Sequence, residues 1–273
     1  MQVTLLLAVI IFSYLLGNIS FARIIAWKKN IDITKQGSGN PGATNTLRTL
    51  GGKAGMTVFA LDVLKGVIPA LIGVFVFGGY VASDNAIILM GTSESYLALY
   101  LCGLAAVLGH TLPVIYKFRG GKGIATMFGV FLVAQPILAA VIFLFCFVLM
   151  LLIKYMSVIS ILFITALVVV QMVFAPAGSH PLFYIALASM LVILLIGHRT
   201  NIYRLVKGQE RKTDLLKYFK KKKENTEAKP IKEEKNIDNK EVEETQSSNI
   251  ETPINENQEK ETVVEVVAED NNI

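Results

Sequence analysis

Long apolar runs separated by short polar, glycine-bearing stretches organise the chain as far as Ile196, and beyond Phe219 no aromatic residue occurs. A helix needs about 20 predominantly apolar residues to cross the hydrocarbon core of a bilayer. By that measure the pattern predicts spans over residues 3–25, 56–79, 96–116, 157–174 and 182–197. The run over residues 124–153 is too long for one upright span and carries Gln135 and Pro136 near its middle, so it predicts two short helices that meet there. The expected fold is an all-α polytopic membrane protein of about seven transmembrane helices, comprising an integral-membrane domain over residues 1–212. From about Lys220 onward Lys, Glu, Asn, Thr and Gln dominate, a composition that cannot bury a core, so residues 213–273 are expected to form a charged, mostly disordered cytoplasmic tail.

Composition agrees: 53% of the 273 residues are hydrophobic and the mean hydropathy is +0.54, too apolar for an ordinary soluble domain. The apolar stretch over residues 3–16 lacks a basic region before it and a small-residue cleavage site after it, and Lys28 and Lys29 follow; it reads as a retained first span. Cys102 and Cys146 lie far apart within apolar runs and suggest neither a disulfide framework nor a zinc site.

The net charge of +5 is unevenly placed, and its placement orients the chain. Seven spans with the N-terminus outside put Lys28, Lys53, Lys117, Lys122, Lys154 and the residues from Arg199 onward on the cytoplasmic side. The outer loops then hold Asp84, Glu94 and His180 but no Lys or Arg, whereas six spans would strand the later basic segments outside. Lys217 and Lys220 to Lys223 follow the last span and suit either an anionic leaflet or plain solvent.

With that topology three unusual segments face the cytoplasm together: GSGNPGATNTLRTLGGKAG over residues 37–55, GHTLPVIYKFRGGKGIAT over 109–126, and GHRTNIYRLVKGQERK over 197–212. Glycine lets backbone amides approach a ligand, helix N-termini present unbonded N–H groups, and Arg or Lys supplies charge, a combination suited to phosphate. Lys122 and the amides over residues 121–124 are expected to converge at the start of a helix, with Arg48, Arg199 and Arg204 as further cations. Lys122 is followed by Gly123 instead of Ser or Thr, which excludes a Walker loop. Asp62 and Lys65, three apart on one helix face, either neutralise each other or line a polar site. Two functional classes remain open on these grounds, an enzyme acting on phosphorylated substrates and a transporter of a phosphorylated solute. The polar blocks crowd one face and no inverted repeat is visible, which favours the enzyme.

These three blocks, with YLLGN over residues 14–18 and FALDVLKG over 59–66, resemble the bacterial acyl-phosphate:glycerol-3-phosphate acyltransferase family across residues 1–212. Gly17-Asn18-Ile19-Ser20 departs from the more usual Gly-Ser-Ile-Pro, and Pro41 stands where Ile or Val is common. The resemblance implies transfer of a fatty acyl group from acyl phosphate to the 1-hydroxyl of glycerol 3-phosphate, giving lysophosphatidic acid and inorganic phosphate. It implies important roles for Ser38 and Arg48, a glycerol 3-phosphate site at Gly120, Gly121 and Gly123, and contributions from His198, Asn201 and Glu210. The catalytic set expected is Ser38, Arg48, Lys122, His198 and Asn201, with Gly39, Asn40, Gly42, Thr44, Asn45, Arg199, Arg204 and Glu210 joining the three glycines in substrate binding.

Acyl phosphate is a mixed anhydride with a good leaving group, so orientation and oxyanion stabilisation suffice without a covalent intermediate. Ser38, Asn45 and the backbone amides of the first block are expected at the acyl-phosphate end, with Asn201 as an oxyanion donor. The proton acceptor is either His198 or the substrate's own phosphate. The His-to-Asp dyad of many glycerolipid acyltransferases is absent, since Ile115, Ile185 and Tyr203 stand five positions after the three histidines. No aspartate cluster suggests a metal, and no cofactor or nucleic acid is expected. The partners expected are the two substrates, the lipid bilayer and the soluble enzyme that makes acyl phosphate. The expected location is the bacterial cytoplasmic membrane, with the site on its inner side.

Overall fold

The computed structural model describes residues 2–77, 81–83, 86–88, 93–175, 179–215 and 217–218. Asp84, the lysines over 220–223 and the acidic tail expected after them lie outside the described residues. The described residues form nine α-helices: α1 (Gln2–Gly17), α2 (Phe21–Trp27), α3 (Ala43–Leu50), α4 (Gly52–Val76), α5 (Ser93–Thr111), α6 (Ile124–Ala134), α7 (Pro136–Ile153), α8 (Met156–Val173) and α9 (Pro181–Val206). Between α4 and α5 a short antiparallel ladder pairs β1 (Val81–Ser83) with β2 (Ala86–Ile88). The protein is a polytopic helical membrane protein, and among the described residues six helical segments are long and apolar enough to cross a bilayer.

The first span is broken, because α1 ends at Gly17 and α2 begins at Phe21. The break exposes backbone carbonyls inside the domain, and Lys65 of α4 fills it, donating to the Ile19 carbonyl at 2.6 Å. Lys65 also pairs with Asp62 at 2.9 Å and reaches His110 Nδ1 at 3.0 Å, all three side chains being buried. The Asp62–Lys65 pair thus neutralises itself in place, while Asp62 also lines the cavity described below. A buried charge left without its partner is strongly destabilising, so this cluster ties α1, α4 and α5 into one arrangement.

The break expected at Gln135 and Pro136 is where α6 hands over to α7. Helix α6 is only 11 residues long, or about 16 Å, roughly half the hydrocarbon thickness. It forms the centre of the bundle: Met127 and Val130 are fully buried. Gly66 and Gly129 let α4 and α6 touch backbone to backbone, since a Cβ on Gly66 would lie 1.9 Å from the Thr126 carbonyl and one on Gly129 would lie 2.1 Å from that of Val63. Helix α7 has the opposite character, with Ile137, Val141, Leu144 and Phe145 turned outward as a lipid-facing surface. It stops at Lys154, which takes the left-handed conformation at φ +62° and starts α8 two residues later.

The last span was expected to end at residue 197, but α9 continues to Val206. Hydropathy falls at His198 because polar residues enter, not because the helix stops. The extra turns place His198, Asn201 and Arg204 at successive three-residue steps, so they lie on neighbouring positions of one helix face.

Candidate active site

The first block folds as a tight loop leading into α3. Asn45, 1% exposed, builds that loop: its amide nitrogen donates to the Ile33 and Gln36 carbonyls at 3.1 and 3.0 Å. Its oxygen accepts the Ser38 N–H at 2.9 Å. This leaves Asn45 a scaffold for Ser38 instead of the free substrate contact expected of it. Gly37 adopts φ +58°, and a Cβ there would meet the Asn45 oxygen at 2.4 Å, so the loop admits only glycine. Gly42 caps α3 without a side chain, and the first-turn N–H groups of that helix have no partner within the helix itself.

The second block turns back on the end of α5. The Gly120 and Gly121 amides donate to the Thr111 and His110 carbonyls at 3.2 and 3.1 Å. Gly121 was expected to offer its amide to an anion; that amide is instead part of the fold. The glycine is required because a Cβ there would lie 2.1 Å from His110 Nε2. Gly123 caps α6 at φ +80°, and the chain between these glycines delivers Lys122.

Lys122 donates to the Asn201 side-chain oxygen, and the Asn201 nitrogen donates to Glu210 Oε1 at 2.6 Å. Arg204 donates to the other carboxylate oxygen at 2.8 Å. Burial pulls the Lys122 pKa down to about 8; Arg204 and Arg48 push the same way, and Glu210 opposes them. Burial pushes the Glu210 carboxyl up, but hydrogen bonds from Asn201 and Arg204 outweigh it and leave the group below the usual range. Burial likewise lowers the pKa of Arg48, which donates to the Thr213 hydroxyl. His198 is buried, with Nδ1 2.9 Å from the Leu194 carbonyl; that contact selects the tautomer with a proton on Nδ1 and leaves the Nε2 lone pair as the ring's acceptor. Arg199 is exposed at the rim and bonds the Ile196 carbonyl of its own helix.

All the side chains and glycines expected at the site line one cavity of about 1500 Å³. Its polar part is bounded by Ser38, Arg48, Lys122, His198, Asn201 and Glu210, and its apolar part by Phe59, Phe143, Phe147, Met150, Phe163 and Ile193. Phe128 stacks on Phe143 at 4.7 Å and meets Phe163 edge-on at 5.2 Å, which stiffens the apolar wall. Ser157, buried beside Glu210 at the start of α8, was not anticipated; a single serine heading an apolar run carries no sequence signal. Among the described residues no group of three or more His, Cys, Asp or Glu side chains could hold a metal ion.

The family described as glycerol-3-phosphate acyltransferase matches residues 7–208. A glycerol-3-phosphate acyltransferase of Shouchella clausii is 44% identical over 211 residues, covering 76% of this chain and 95% of that protein. The Aquifex aeolicus protein of the same description is 42% identical over 205 residues, covering 75% and 97%. A crystal structure of PlsY, an integral membrane glycerol 3-phosphate acyltransferase in its glycerol 3-phosphate form, superposes with a TM-score of 0.66 at 38% identity, covering 78% of this chain and 98% of that one. The lysophosphatidic acid form of PlsY gives 0.65 at the same identity and coverage.

Proposed function

The chain belongs to the glycerol-3-phosphate acyltransferase family, and from that premise we propose that it transfers a fatty acyl group from acyl phosphate to the 1-hydroxyl of glycerol 3-phosphate. The observation that carries this reading is that one cavity joins a cationic end to an apolar end. Two phosphorylated substrates need positive charge, and a fatty chain needs an apolar wall at about 0.8 kcal/mol per buried methylene.

Arg48 and Lys122 grip phosphate, Arg48 as a planar fork and Lys122 as a compact charge. Ser38 and the N–H groups at the start of α3 meet the acyl-phosphate end, where an anion is favoured. Asn45 holds that loop in shape. Asn201 and Glu210 orient Lys122 and Arg204, and the remaining proton on the Asn201 nitrogen serves the developing oxyanion. Gly39, Asn40, Gly42 and Thr44 line the donor's end, Gly120 and Gly123 that of the acceptor, and Arg199 the rim.

The hydroxyl oxygen attacks the acyl carbonyl carbon, and the bond from that carbon to the bridging oxygen breaks. The phosphate leaves with the electron pair, and the hydroxyl proton passes to a phosphate oxygen of the substrates. His198 orients the acceptor through Nε2. Lysophosphatidic acid stays in the bilayer, and inorganic phosphate departs to water.

Seven crossings with the N-terminus outside suit the arrangement, because Arg23, Lys122, Lys154 and Asn201 gather at one end of the bundle and that end is basic. We assign that end to the cytoplasmic face of a bacterial cytoplasmic membrane, where a soluble enzyme can supply acyl phosphate, and the charged sequence beyond residue 218 to a tail on the same side. Purified protein in vesicles, given acyl phosphate and glycerol 3-phosphate, should release phosphate and form lysophosphatidic acid; acyl-CoA should not replace the donor. Uptake of glycerol 3-phosphate without phosphate release would overturn the reading in favour of a transporter.

A further inference from the structure

Past α9 the chain does not leave the domain at once. Thr213 N–H donates to the Lys154 carbonyl at 2.7 Å, at the corner between α7 and α8. Beside it Asp214 pairs with the Lys154 ammonium at 2.8 Å, and Leu215 is buried. Thr213 itself is 2% exposed, and its hydroxyl accepts a hydrogen bond from Arg48 Nη2. A hydrogen bond, an ion pair and an apolar anchor thus fix one threonine against one guanidinium. Residues 213–215 lie beyond the 7–208 matched to the family and beyond the boundary expected at 212.

We propose that Thr213 is a positioning residue for Arg48, held in place by the strap that Lys154 and Asp214 clasp. The inference rests on the reading of Arg48 as a phosphate grip. Arg48 occupies the last turn of an eight-residue helix and lines the cavity, so its long side chain must be fixed to present its fork without an entropic penalty on binding. Thr213 does this with a neutral acceptor. A carboxylate in its place would orient the guanidinium equally well but cancel the charge that a dianionic substrate needs. Glu210 already performs that neutralising role for Arg204, which makes the uncharged partner of Arg48 a meaningful difference. The hydroxyl also takes only one of the guanidinium donors and leaves the others for phosphate.

The test is a double-mutant cycle on the full chain in vesicles, read as initial-rate kinetics against glycerol 3-phosphate. Thr213→Val should lower kcat/KM about tenfold, and Thr213→Ser, which restores the acceptor, should return it to the starting value. In an Arg48→Lys background, where the planar fork is gone, Thr213→Val should cost little more. Equal losses in both backgrounds, or a Thr213→Ser variant as impaired as Thr213→Val, would mean that Thr213 acts on the fold generally and overturn the proposal. Should Thr213→Val not fold, Thr213→Asp decides: it keeps an acceptor but neutralises Arg48, so KM should rise about tenfold, and an unchanged KM overturns the proposal. Full activity of Arg48→Lys alone would instead remove the reading of Arg48 on which the inference rests.

Discussion

The ammonium of Lys122 donates to the side-chain oxygen of Asn201, joining two segments 79 residues apart. The other end of the same amide donates to Glu210 at 2.6 Å, so one side chain positions both a cation and the carboxylate beside it. Asn201→Ala removes both bonds at once. It should lower kcat by about 10- to 100-fold while changing KM less, measured by steady-state phosphate release. Unchanged turnover would show that the amide does not organise the reacting groups.

Lys122, pulled down to about 8, gives the reaction an alkaline limit. Below that pH the ammonium is charged and attracts phosphate; above it the charge is lost. The pH profile of kcat/KM, which reports the free enzyme, should fall as pH rises through about 8. In kcat the same limb should move to higher pH, because bound phosphate favours the charged form.

Glu210 raises the Lys122 pKa, and its removal has a definite sign. Glu210→Gln keeps an acceptor for one of Asn201 and Arg204, which bond different carboxylate oxygens, and removes the negative charge. The alkaline limb of kcat/KM should therefore shift to lower pH, as a pH series on this variant would reveal. A shift to higher pH contradicts the electrostatic account of the site.

Gly121 has no room for a methyl group, because its Cβ would fall 2.1 Å from His110 Nε2. Gly121→Ala must displace the loop or the buried histidine, at about 1–3 kcal/mol. Thermal unfolding should detect the loss, and KM for glycerol 3-phosphate should rise as Lys122 moves with the loop.

Hydropathy made the long spans legible, and Gln135 with Pro136 marked the join of α6 and α7 because a polar residue and a proline interrupt an unbroken apolar run. The same measure misplaced the end of α9, since His198, Asn201 and Arg204 read as a loop while the backbone stays helical. The residues singled out in the three glycine-bearing blocks line one cavity. The blocks did not indicate what each glycine does: Gly121 is fixed by His110, 11 positions earlier, through packing that no local pattern encodes. The break between α1 and α2 was equally hidden, as the Lys65 ammonium that satisfies the Ile19 carbonyl there comes from another helix. Thr213 sits where composition already turns polar and looks like the start of a tail. Its bond to Arg48 becomes visible only when α3 and the end of α9 are brought together.

The central claim, that cations at the polar end of one cavity hold phosphate for acyl transfer, is tested most directly by the dependence of rate on glycerol 3-phosphate concentration in a Lys122→Met variant. The account predicts a rise in KM and a loss of at least about 100-fold in kcat/KM, in a protein that remains folded. A variant that saturates at the same concentration and turns over at the original rate would contradict it.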